Sequence, residues 1–136
     1  MMDTVHIQQG DYHLHLCLPQ LHILPLKNIN KIFRIALHPG WASENEEAIH
    51  TVGQFLEDQV AESKEAWAKA SKEYQDGWRL IEKPARRRTR KEIEAAAAVK
   101  AHNEELTSAA KRSKALHDKW VKIQELWIDT KHQMNL

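Results

Sequence analysis

Between residues 43 and 134, apolar side chains recur every three or four positions, in two runs broken once, around Pro84. That spacing is the repeat of an α-helix, and it gathers the apolar residues into one stripe on an otherwise polar rod. The first run is Ile49, Val52, Leu56, Val60, Ser63, Trp67, Ala70, Tyr74, Trp78 and Ile81. The second keeps a heptad rhythm from Leu106 through Ala109, Ser113, Leu116, Trp120, Ile123, Trp127 and Thr130 to Met134. Helices are expected at about 43–82 and 89–134, with Gly77 a weak point near the end of the first. Both open on a capping-box pattern, Ser43-Glu44-Asn45-Glu46 and Thr89-Arg90-Lys91-Glu92. There the hydroxyl accepts from the amide three residues on, and the glutamate reaches back.

A lone rod with one wet apolar stripe is not stable, so each helix needs a partner. The simplest is the other helix. Pro84 stops the first, and the loop Lys83–Thr89 lets the chain reverse into an antiparallel, coiled-coil-like hairpin. Matching the stripes by size sets Leu56 against Leu116, Val52 against Trp120, Ile49 against Ile123 and Ser63 against Ala109. Trp127 and Met134 then overrun the first helix and are expected on the N-terminal zone, near Trp41. An intermolecular bundle satisfies the same stripes, so a homo-oligomer is the alternative.

The first 42 residues read as a β zone. In Tyr12-His13-Leu14-His15-Leu16-Cys17-Leu18 the apolar residues alternate, which is the period of a strand with one buried face. Leu21–Leu26 is a second candidate strand. Lys31–Leu37 fits both patterns: Phe33, Ile35 and Leu37 alternate, whereas Ile29, Ile32, Phe33 and Ala36 suit a helix. The Asn28-Ile29-Asn30 turn signal before it and His38-Pro39-Gly40 after it favour a strand. The fold class is therefore α+β: a small N-terminal antiparallel β zone at 1–42, then a long helical hairpin at 43–136, together one cooperative domain.

Charge is strongly segregated. Net charge is only +1, yet residues 43–82 carry ten acidic and four basic side chains, and residues 83–91 carry six basic and no acidic ones. Anion binding, if any, is local to Lys83, Arg86, Arg87, Arg88, Arg90 and Lys91, at the tip of the hairpin. Arg90 and Lys91 fall in the first turn of the second helix, where positive charge opposes the helix dipole. The cluster works against local stability and so points to a bound anionic surface, of protein or of nucleic acid. A plainer reading is a solubilising loop answered by Glu82, Glu92 and Glu94. Tyr74 and Trp78 stand close by, but both fall on the core stripe, so a bare arginine tip would bind phosphates without reading sequence.

Six of the nine histidines lie in the first 50 residues. His13 and His15 share a strand face with Cys17, but ~13 Å separates His13 from Cys17 along a strand, too far for one ion to take all three. A metal site would need a cross-strand ligand such as His6 or His22, which makes His13, His15 and His22 the candidates if that face holds a metal. A polar solvent face is the competing reading. Four glycines supply no phosphate-binding loop, and there is no G-x-S-x-G, H-E-x-x-H or C-x-x-C. No enzyme and no cofactor are expected. The lone Cys17, the absence of an apolar leader and the lack of a spanning segment lead to a cytoplasmic protein with no membrane association. The functional expectation is a non-enzymatic adaptor or inhibitor that binds a protein partner through hairpin and basic tip. Sequence-independent DNA or RNA binding through that tip is the alternative, and a metal-dependent function at the histidine strand is the third reading.

Overall fold

The computed structural model describes residues 4–9, 12–80 and 87–136, without the side chains of residues 8, 9, 12 and 13. Lys83, Arg86 and the side chain of His13 thus lie outside the described residues. The chain is α+β, with a two-stranded antiparallel sheet followed by helices, the two longest of which pack together as a hairpin. It divides into two compact units, Met1–Glu62 with Leu116–Leu136, and Ser63–Ala115.

In the first unit, β1 (Thr4–Gln9) pairs with β2 (Tyr12–Cys17) so that Thr4 faces Cys17 and His6 faces His15. The alternation expected for β2 is present: Leu16 is buried and Leu14 half-buried, while His15 and Cys17 are exposed. Val5 and Ile7 of β1 are buried, and His6 is exposed. Among the described residues these are the only strands. Leu21–Leu26 is not one. Pro19 opens a 3-10 turn over Leu18–Ile23, which buries Leu18 and Leu21.

The strand expected at Lys31–Leu37 is also overturned, because helix α1 runs from Leu26 to Ala36. The amides of Asn28 and Ile29 both donate to Pro25 O, at 2.9 and 3.1 Å, so the asparagines lie inside the helix rather than in a turn. Coiling buries Ile29, Phe33 and Ala36 together and leaves Ile35 exposed. A strand would have placed Phe33 and Ile35 on the same face, and would have split Phe33 from Ala36. A short helix α2 (Pro39–Ala42) follows, and Ser43 closes it by donating its amide to Pro39 O at 3.2 Å. Ser43 therefore does not cap the long helix. Helix α3 (Glu46–Gly77) starts from Asn45, whose carbonyl accepts the amide of Ile49 at 3.0 Å.

The core of this unit joins Ile7, Leu18, Leu21, Ile29, Phe33, Leu37, Val52 and Leu56 to Trp120, Ile123 and Trp127 of helix α4 (Arg90–Gln133). Each fully buried side chain of this size contributes about 1.5–3 kcal/mol. Trp127 docks on the N-terminal zone as expected, but on α1: its ring meets Phe33 edge-on at 4.9 Å. Lys119 Nζ donates to Leu24 O at 2.8 Å and ties α4 to the end of the 3-10 turn.

The second unit holds the later part of α3 and the earlier part of α4. Small and polar residues fill its interface, with Ser63, Ala70 and Asn103 buried. Trp67 is half-buried, and Lys114 Nζ lies 6.0 Å from its ring centre. The α3 helix ends at Gly77, five residues short of the expected 82, and Trp78–Leu80 continue without helical structure. Helix α4 begins where expected: Thr89 Oγ1 accepts the amide of Glu92 at 3.3 Å.

The pairing of the helices is shifted from the expected one. Gly53, beside Val52, faces Trp127, one heptad beyond the expected Trp120. In the second unit Gly77 faces Leu106. Leu116, expected against Leu56, is instead 40% exposed. Apolar stripes that repeat every seven residues match almost equally well after a slip of seven, so stripe matching alone does not set the register.

Candidate functional site

The basic segment joins two helix ends that are not level with each other. At the α3 end the carbonyl of Gly77 lies 2.7 Å from His102 Nε2. Asn103 then acts as a substitute backbone partner for Arg79: its Oδ1 accepts the Arg79 amide at 3.0 Å, and its Nδ2 donates to Arg79 O at 2.7 Å. These two side chains anchor residues 77–79 against the first third of α4. Helix α4 itself starts at Arg90, so its first 13 residues, ~20 Å of helix, precede Asn103. The end of α3 thus lies level with residues 102 and 103 of α4 rather than with the start of that helix.

Of its six cations, Arg87, Arg90 and Lys91 are exposed and Arg88 is half-buried, while Lys83 and Arg86 fall outside the described residues. Arg90 Nε sits 3.4 Å from Glu94 Oε1, one turn along the helix. Both groups are well exposed, so this pair only partly offsets a charge that opposes the dipole. Apolar residues bracket the segment in the open. Trp78 is 45% exposed, Leu80 86% and Ile93 55%. The Trp78 exposure departs from its expected place on the core stripe and follows from the early end of α3. Its ring leans on Tyr74 at 5.3 Å and borders a cavity of about 520 Å³ lined also by Lys100, Asn103, Thr107 and Lys111.

Sequence reasoning missed the anchor. The one available signal was a polar residue, Asn103, one turn before Leu106 on the apolar stripe, with His102 beside it.

The histidines separate into two places. His6 and His15 face each other across the strand pair, with ring centres 4.2 Å apart. His22 is elsewhere: its Nδ1 lies 2.6 Å from Pro19 O, and its ring stacks at a tilt on Trp120 at 5.6 Å. His15 and His22 are therefore not two ligands of one ion. Among the described residues no three His, Cys, Asp or Glu side chains converge as a metal site. In the first unit, an open groove of about 660 Å³ lies between His22, His50, Phe55, Asp58, Leu116 and Trp120. No helix among the described residues is long and apolar enough to cross a membrane. No family model, curated protein or solved structure matches the chain.

Proposed function

We propose that the protein is a non-enzymatic interaction protein, an adaptor or inhibitor that engages a larger assembly through its helical hairpin and the basic segment 83–91. The observation that carries this reading is the exposure of Trp78, Leu80 and Ile93 on either side of the arginines. Phosphate alone gives no reason to keep three large apolar side chains in water. A protein surface that is acidic with apolar pockets uses both components, since tryptophan and arginine are enriched at protein interfaces and buried apolar area adds to the contact. The lone cysteine, exposed and free, suits action in the cytoplasm.

One observation favours a second reading. Exposed Trp78 beside Lys100 and Lys111 offers a base-stacking ring next to phosphate-binding charge, which suits single-stranded nucleic acid.

The two readings part in one paired experiment. Fluorescence anisotropy with labelled single- and double-stranded oligonucleotides is run beside affinity capture from nuclease-treated lysate. Three baits are compared: the native chain, Arg86/Arg87/Arg88/Arg90→Ala, and Leu80→Ser/Ile93→Ser. The protein reading expects a captured partner that both variants lose. It also expects oligonucleotide binding weaker than about 1 μM at ~150 mM salt. Tighter oligonucleotide binding, abolished by the arginine variant and untouched by the apolar one, would replace it with the nucleic-acid reading.

A further inference from the structure

The register of β1 and β2 places His6 directly opposite His15, both exposed, with ring centres 4.2 Å apart and planes at 74°. Side chains opposed across an antiparallel pair have Cβ atoms about 4.5–5.5 Å apart, held there by the backbone ladder. An ion that binds imidazole nitrogen at about 2.0–2.1 Å needs two such nitrogens about 3–4 Å apart. Rings at the observed separation meet that span with side-chain rotation alone. The strand pair has already fixed both imidazoles near one point, so little further ordering is required on binding.

We infer that His6 and His15 form a surface site for a late first-row divalent ion, copper(II) ahead of nickel or zinc. Imidazole suits all three, and copper(II) binds most tightly to a given nitrogen site. Magnesium and calcium, which take oxygen ligands, are excluded by the donor set. Two imidazoles fill adjacent positions of the coordination shell, and water fills the rest. Neither histidine belongs to the basic segment, so the site is independent of the partner surface proposed above.

The test titrates the full chain with copper(II), zinc and magnesium chlorides in a non-coordinating buffer, by calorimetry and by electron paramagnetic resonance of the copper form. The variants are His6→Gln and His15→Gln, with His38→Gln as control because that ring already accepts from the Gly40 amide. The expected result is one copper per chain, coupled to two nitrogens, with zinc weaker and magnesium silent. Each of His6→Gln and His15→Gln weakens copper binding at least about tenfold and leaves one coupled nitrogen, while His38→Gln stays within about twofold of the parent. Loss in only one of the two variants, or copper affinity unchanged in both, overturns the site. Both histidines are exposed, so far-UV circular dichroism is expected to be the same for all four proteins.

Discussion

Asn103 shows how much one side chain can decide. It is buried in line with the stripe of α4, and its amide supplies one acceptor and one donor to the backbone of Arg79. Together with the Trp78 amide, which donates to Tyr74 O at 3.2 Å, these bonds hold the chain in place once α3 has ended. Replacing Asn103 with Ala removes both bonds and exposes or strands two backbone groups, a loss of about 1–3 kcal/mol for the anchored segment. Amide hydrogen exchange at Arg79 is therefore expected to rise at least about tenfold in Asn103→Ala, and unchanged exchange there would mean the anchor is not what orders the segment. Gly53 makes the opposite case. A Cβ at this helical position would lie 3.4 Å from Trp127 Nε1, an ordinary contact. Alanine costs about 0.8–1.0 kcal/mol less than glycine inside a helix. Gly53→Ala is accordingly expected to stabilise the protein by up to about 1 kcal/mol in urea denaturation. A loss of stability would show that the helices approach too closely there to admit a methyl group.

At the scale of elements, periodicity was readable wherever a single period dominated. The alternation around Leu14 and Leu16 identified β2, and the Ile49–Leu56 and Trp120–Trp127 stripes identified the two long helices. Thr89 was legible as a cap because α4 starts directly after it, whereas Ser43, in the same sequence pattern, is taken up by the end of α2. Residues 26–36 were not legible in the same way, since Phe33 belongs to an alternating set and to a helical one at once. Which set wins depends on what the rest of the chain brings to bury, and Trp127 on Phe33 is a contact 94 residues away in sequence. Helix register was equally hidden, because a seven-residue slip preserves the stripe. Stability reads the register directly. With Leu116 on the groove at 40% exposure, Leu116→Ala is expected to cost no more than about 1 kcal/mol. Ile123→Ala, at a fully buried position, is expected to cost about 2–5 kcal/mol. Equal losses in the two variants by urea denaturation would restore the pairing of Leu116 with Leu56.

For the whole molecule, the charge pattern matters more than the net charge. A chain at +1 that concentrates six cations in nine residues presents one short anionic-partner site and little long-range attraction elsewhere. That bounds the salt dependence of duplex binding through this segment. If all six cations met phosphates, the logarithm of the binding constant would fall with the logarithm of salt at a slope near −5, from about −0.9 per contact on duplex DNA. Arg90 is shared with Glu94 and Arg88 is half-buried, which leaves about four of the six cations to meet phosphate. The expected slope for duplex DNA is therefore shallower, about −3 to −4. For a protein partner seated on Leu80 and Ile93, the salt dependence is expected to be shallower again, with Leu80→Ser/Ile93→Ser lowering affinity at every salt concentration alike. Measuring both slopes on the same preparation separates the two kinds of surface. An oligonucleotide slope near −5 would mean that the segment is fully engaged by phosphate, and the apolar residues would then need another explanation.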